Sequence, residues 1–194
     1  MDAQKKNIKK WVIPAFILLC LAQLVLPIKM VADREAVVLK GKAFRFKVAP
    51  LDPNDPFRGK YITLRYEADS VKVKNVNEWV RNSKIYALLD TDLQGYAFVR
   101  GISASRPDDQ LDYVEAFVTV MNLEDKNTLH ITYPFNRFYM EETKAMKAEK
   151  MFLESLRSPR SNVFAEIYVR DGKAVINDVV INGQSVRDIS INLK

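Results

Sequence analysis

The chain has 194 residues, 30 basic against 24 acidic side chains, one cysteine and one histidine. That is enough, beyond a membrane anchor, for one domain of ordinary size with its own core. Cys20 and His130 stand alone of their kinds, which excludes an internal disulfide and a thiolate zinc site and makes any Ser-His or Cys-His nucleophile depend on His130.

Residues 1–10 carry half of the formal +6, with Lys5, Lys6, Lys9 and Lys10 set against Asp2. The remainder is only mildly basic, so the tail reads as a cytoplasmic topology signal and nucleic acid is not an expected partner. Residues 11–28, from Trp11 to Ile28, contain no charged side chain and are about the length needed to cross a hydrocarbon core. Lysines on the amino side predict a cytoplasmic N-terminus and an exported C-terminal domain. A cleaved signal peptide is the rival reading, but a cut after Ala32 would want a small residue where Met30 stands. Cys20 follows the bulky Leu19 and reads as an apolar residue inside the anchor.

Residues 29–35 read as a short charged connector, and 36–194 as an exported β-rich domain. Residues 36–48 end in alternation, with Phe44, Phe46 and Val48 against Arg45 and Lys47, which predicts a half-buried strand. Asp52-Pro53-Asn54-Asp55-Pro56 predicts a rigid turn, because each proline holds the residue before it out of the helical region. Gly59 suits an unusual backbone angle. In the following strand Ile62, Leu64 and Tyr66 share one face and Tyr61, Thr63 and Arg65 the other.

Strands are predicted at 85–90 and 96–100, at 113–121 and 129–133, and at 163–170 and 174–181, each pair joined by turn residues. Asp171-Gly172 is a strong hairpin signal and Asn182-Gly183 marks a further turn. A helix is predicted over 141–157, opened by acidic residues, with Ala145, Ala148, Phe152 and Leu156 as its buried stripe. About eight strands with hairpin spacing and one late helix give an α+β class, mainly antiparallel β, behind a single N-terminal transmembrane helix.

Two stretches hold candidate binding residues. The turn-and-strand block offers Arg58, Lys60, Tyr61, Arg65 and Tyr66, with Asp52, Pro53, Asp55, Gly59 and Leu64 as its structural signature. Its structural alternative is a capped turn in which Arg58 pairs with Asp52 or Asp55. The stretch from Tyr133 to Tyr139 packs four aromatics before an acidic helix start, and adds Arg137, Tyr139 and Glu142. It reads as a recognition loop or as an aromatic corner fixing the helix to the sheet. His130 reads as a structural strand residue, and Glu142 and Glu149 as one solvated helix face. No residue is assigned to catalysis, to a metal or to a cofactor.

Gly59, Tyr61, Leu64 and Tyr66, preceded by Asp52, Pro53, Asp55 and Arg58, resemble the signature of the bacterial GDYXXLXY proteins. Lys60 departs from it, standing where the family has aspartate, so chemistry resting on that aspartate would not transfer to this chain. Arg137-Phe138-Tyr139 and Glu142 resemble the family's second, aromatic-acidic segment. The resemblance implies a small membrane-anchored protein whose relatives are associated with multi-span membrane proteins. The expectation is a non-catalytic binding or accessory protein of the bacterial cell envelope, bilayer-anchored through 11–28 and partnering an integral membrane protein. The alternative is an envelope hydrolase with no visible motif.

Overall fold

The computed structural model describes residues 2–49, 61–108, 110–121, 127–140, 151–156, 158 and 161–188. Helix α1 (Asp2–Lys40) precedes eleven strands among them: β1 (Lys42–Lys47), β2 (Tyr61–Thr63), β3 (Ser70–Lys72), β4 (Lys84–Thr91), β5 (Ala97–Ser103), β6 (Tyr113–Met121), β7 (Thr128–Thr132), β8 (Arg137–Tyr139), β9 (Val163–Arg170), β10 (Lys173–Ile181) and β11 (Gln184–Ser185). A helical segment, α2, covers residues 151–156. The strands form three sheets, ordered β1-β9-β10-β11, β2-β8 and β3-β7-β6-β4-β5. Every ladder is antiparallel. The fold is α+β, mainly antiparallel, behind an apolar helix.

From Val12 onward α1 is long and apolar enough to cross a membrane, and none of its apolar window is buried inside the protein. Leu18 and Leu26 point outward at 69% and 68% exposure, as in a helix solvated by lipid rather than by a core. The helix does not stop at Ile28. The charged stretch 29–35 is helical, and so is 36–40, so the strand expected within 36–48 begins only at Lys42. Ala, Arg, Glu, Leu and Lys favour helix there, and Val37 is buried where α1 meets β9 and β10. At Gly41 the N–H still closes on the Val37 carbonyl at 2.8 Å. A Cβ on Gly41 would lie 2.3 Å from that oxygen and 3.0 Å from the Val169 carbonyl oxygen, so the helix-to-strand joint admits only glycine.

In β1, Phe44 and Phe46 are buried and the residues between them exposed. β9 alternates without a break, burying Val163, Ala165, Ile167 and Val169. Asp171 and Gly172 have φ of 52° and 81°, and Asn182 and Gly183 have 50° and 85°. Two consecutive positive φ values match the twist of flanking strands, which is why these dipeptides close β9–β10 and β10–β11. Isolated bridges Val48–Tyr66, Arg45–Tyr96 and Val114–Gly172 tie the sheets together, and one contiguous core draws on all three.

One further expectation changes, and one is met as far as the described residues reach. The regular part of the signature strand ends at Thr63, although its facing pattern continues to Tyr66. Of the helix expected over 141–157, residues 151–156 are helical, with Phe152 fully buried; 141–150, including Glu142 and Glu149, lie outside the described residues.

Candidate functional site

The two stretches singled out in the sequence are partners in one two-stranded sheet. Tyr61 faces Tyr139, Ile62 faces Phe138 and Thr63 faces Arg137. The Leu64 N–H extends the pairing to the Asn136 carbonyl at 2.8 Å, and the Ala49 N–H reaches the Arg65 carbonyl at 2.8 Å. Alternation then sorts the side chains into two faces.

The outer face carries Tyr61, Arg65, Arg137 and Tyr139. Tyr61 and Tyr139 rings stand 5.5 Å apart, and the Arg137 guanidinium lies 4.9 Å from the centroid of the Tyr61 ring. This is a diagonal cross-strand contact, and Arg137 is exposed, with guanidinium N–H groups able to donate to an anion or carbonyl. Tyr139 is 62% exposed, and Arg65 is exposed two residues beyond Thr63 on the same face. An amphipathic aromatic beside a guanidinium is the composition of interface anchors.

The inner face holds Tyr66, which is 2% exposed and whose hydroxyl donates to the Phe135 carbonyl at 2.7 Å. With Phe46, Tyr133 and Phe135 it forms an aromatic cluster whose ring centroids lie 4.9–5.8 Å apart. Tyr133 donates its hydroxyl to the Ala68 carbonyl at 2.7 Å. Burial holds both phenols neutral by raising their pKa well above the usual value. Leu64 is buried as well. Asp52, Pro53, Asp55, Arg58, Gly59, Lys60 and Glu142 lie outside the described residues.

Beside this cluster sits a carboxyl that the sequence did not flag. Asp69 accepts the Tyr66 N–H through Oδ2 at 3.1 Å, while its Oδ1 is buried with no hydrogen-bond partner among the described residues. Burial raises its pKa to about 6, against the opposing pull of the Tyr66 N–H and of Arg65. His130 pairs with a serine: Ser70 Oγ lies 3.1 Å from its Nδ1 across β3–β7. No other hydrogen bond of the His130 ring is present among the described residues, so a third member to orient it for nucleophilic work is not in place there.

Between the last turns of α1 and the domain runs a groove of about 660 Å³. Met30, Asp33, Arg34 and Val37 form its helical wall, at the i, i+3, i+4, i+7 spacing of one helix face. Residues 134–139, the start of β10, Glu115 and Arg187 line the rest. Lys173 binds Asp33 at 2.8 Å, and the Arg187 guanidinium lies 5.3 Å from the centre of the Phe138 ring. Arg34 lies in the charged stretch 29–35 that the sequence presents as a connector, and Lys173 and Arg187 reach the groove only through the fold. Continued as a helix, the 30-33-34-37 spacing would have exposed that wall.

No curated protein and no solved structure matches the chain. The family model described as "GDYXXLXY protein" matches residues 23–179, from within α1 into β10. The match covers both paired segments, the aromatic cluster beneath them and most of the groove, and on that extent the chain belongs to the GDYXXLXY protein family.

Proposed function

We propose that this is a non-catalytic accessory protein of the bacterial cell envelope, held in the inner membrane by α1, with its N-terminus in the cytoplasm and its β domain on the outer side. In this reading the domain docks on an integral membrane protein through the outer face of β2–β8. The carrying observation is the pairing itself: two segments more than seventy residues apart bring Tyr61, Arg137 and the exposed Tyr139 onto one strip. An exposed aromatic-arginine strip on a domain joined to a membrane-length helix suits a partner in the same membrane. The lysines before the apolar run support the orientation.

Among the described residues no observation favours the hydrolase alternative. Asp69, whose pKa is raised to about 6, does not line the groove beside α1. The test is photo-crosslinking in the membrane from position 139, beside a Tyr61→Ala/Tyr139→Ala variant shown to be folded. A multi-span membrane protein crosslinked by the first and not retained by the second supports the reading. Crosslinks to lipid alone, or equal retention by the variant, refute it.

A further inference from the structure

We propose that α1 packs, through the face that carries Gln23, against a transmembrane helix of the partner protein. That helix presents a hydroxyl or amide side chain to the backbone carbonyl and the side-chain amide of Gln23. The inference rests on the membrane-anchored accessory reading above and extends it into the bilayer.

Two unpaired polar groups on one residue carry it. Gln23 is the one amide or hydroxyl side chain between Trp11 and Ile28, a run without serine, threonine or asparagine. It is exposed on α1, and none of the apolar window of that helix is buried inside the protein. Four residues on stands Pro27, inside the same helix. Proline has no N–H, so the helical bond that would close on the Gln23 carbonyl is missing. Carbonyl and amide therefore call for partners at one level and on one side of the helix.

Depth limits what can supply them. At 1.5 Å per residue, residues 11–28 rise about 27 Å, and Gln23 stands about 5 Å from the middle of the run. Lipid tails offer no donor there, and the hydrocarbon layer holds no water for an exposed backbone group. Cα–Cβ bonds in a helix tilt toward its N-terminus, so the Gln23 side chain leans toward the middle of the run and away from the nearer end at Ile28. In a membrane, a neighbouring helix with a polar side chain satisfies both groups.

The position of the β domain selects the occupant. Met30 and Val37 lie seven and fourteen residues beyond Gln23, so the three share one side of α1, with a drift of about 20° per seven residues. Val37 is buried where α1 meets β9 and β10, and Met30 lines the groove. The domain thus overhangs the Gln23 face. A helix of a multi-span protein that ends near the membrane surface fits beneath it. A second copy of this chain does not, because α1 stays helical to Lys40. In a parallel pair meeting at this face, each copy would need residues 30–40 where the other's domain stands.

The experiment places a photo-crosslinking residue in the full-length protein in its native membrane. Positions Leu19 and Leu26 flank Gln23 on its own face, and Leu21 lies about 200° around the helix. Crosslinks from 19 and 26 should reach a multi-span membrane protein, and those from 21 lipid alone. Gln23→Leu should lower recovery of that protein in mild detergent roughly three- to fifteenfold. Adding Pro27→Ala, which restores the helical bond, should lower it further, while Gln23→Asn should keep most of it. Leucine at 23 leaves the unfolding temperature of the β domain unchanged, which separates lost contact from lost fold. Full recovery with Gln23→Leu overturns the proposal. So does a crosslink from 21 as strong as that from 26, or one from 26 to a second copy or to lipid alone. If position 139 still captures a multi-span protein, those outcomes leave the docking reading standing. A Gln23-dependent crosslink from 26 with none from 139 refutes the docking strip and leaves the helix contact.

Discussion

Asp69 is a residue whose chemistry departs far from its ordinary state. Its carboxyl is held at a pKa of about 6 against an unfolded value near 3.8. Below about pH 3.8 both states are protonated and the group is neutral in its effect. Between 3.8 and 6 the unfolded chain ionises while the folded one does not, so stability falls as pH rises, and above 6 the loss is complete. At about 1.36 kcal/mol per unit, that loss is at most about 3 kcal/mol. Asp69→Asn should therefore be more stable than wild type at pH 8 by about 1–2 kcal/mol, since its amide inherits the unpartnered place of Oδ1. Near pH 3.5 that advantage should be gone and the asparagine variant should be the less stable by about 1–2 kcal/mol. Denaturant titrations at both pH values check this, and an asparagine variant no more stable at pH 8 would refute it. Tyr66→Phe keeps the ring packing but leaves the buried Phe135 carbonyl without its 2.7 Å donor. It should lose about 1–2 kcal/mol in the same titration. Tyr139→Ala should behave in the opposite way, changing stability by less than about 0.5 kcal/mol because the ring is exposed, while removing the docking contact.

Among the elements, the joints are more constrained than the strands. Gly41→Ala would drive a Cβ into two backbone carbonyl oxygens, neither of which can swing aside. Gly172→Ala adds left-handed strain at φ 81° to a 2.7 Å approach to the Tyr113 ring. Each should destabilise the domain by about 1–3 kcal/mol, read from thermal unfolding, and a loss under 0.5 kcal/mol at either site would contradict the geometry. The hairpin at 171–172 was legible in advance because Asp-Gly states its own turn type. So were the strands with clean alternation, such as the one containing Phe44 and Phe46. β3, β8 and β11 were not, because two or three residues are too few to display a period. The helical stretch 36–40 was less legible for a related cause: Val37 and Val38 favour strand locally, and the helix formers around them together with burial of Val37 against β9 and β10 outweigh that.

At the scale of the molecule, the coupling of helix to domain decides what the groove can do. The Lys173–Asp33 pair is largely exposed, so Lys173→Ala should shift the unfolding temperature little, in keeping with surface ion pairs worth at most about 1 kcal/mol. Val37→Asp should instead put an unpaired charge into the buried contact and free the helix end. Limited proteolysis should then cut after Arg34 or Lys40 faster than in wild type while the β domain stays intact. Cleavage at the wild-type rate would show that α1 is not held by this contact. Of the candidate site, Tyr61, Arg65, Arg137 and Tyr139 were legible as polar or aromatic residues in patterned segments, but their assembly was not.

The amino-acid sequence alone determined the membrane-length helix, the antiparallel β class, the two most important turns and the family, because each rests on a local pattern: charge-free length, alternation, a turn dipeptide, a motif. Tertiary structure decided that the two marked segments are one sheet, that Tyr66 faces the core while Tyr61 faces out, and that α1 continues past its apolar run to build a groove. Those outcomes depend on which strand finds which, over separations at which no local periodicity carries information.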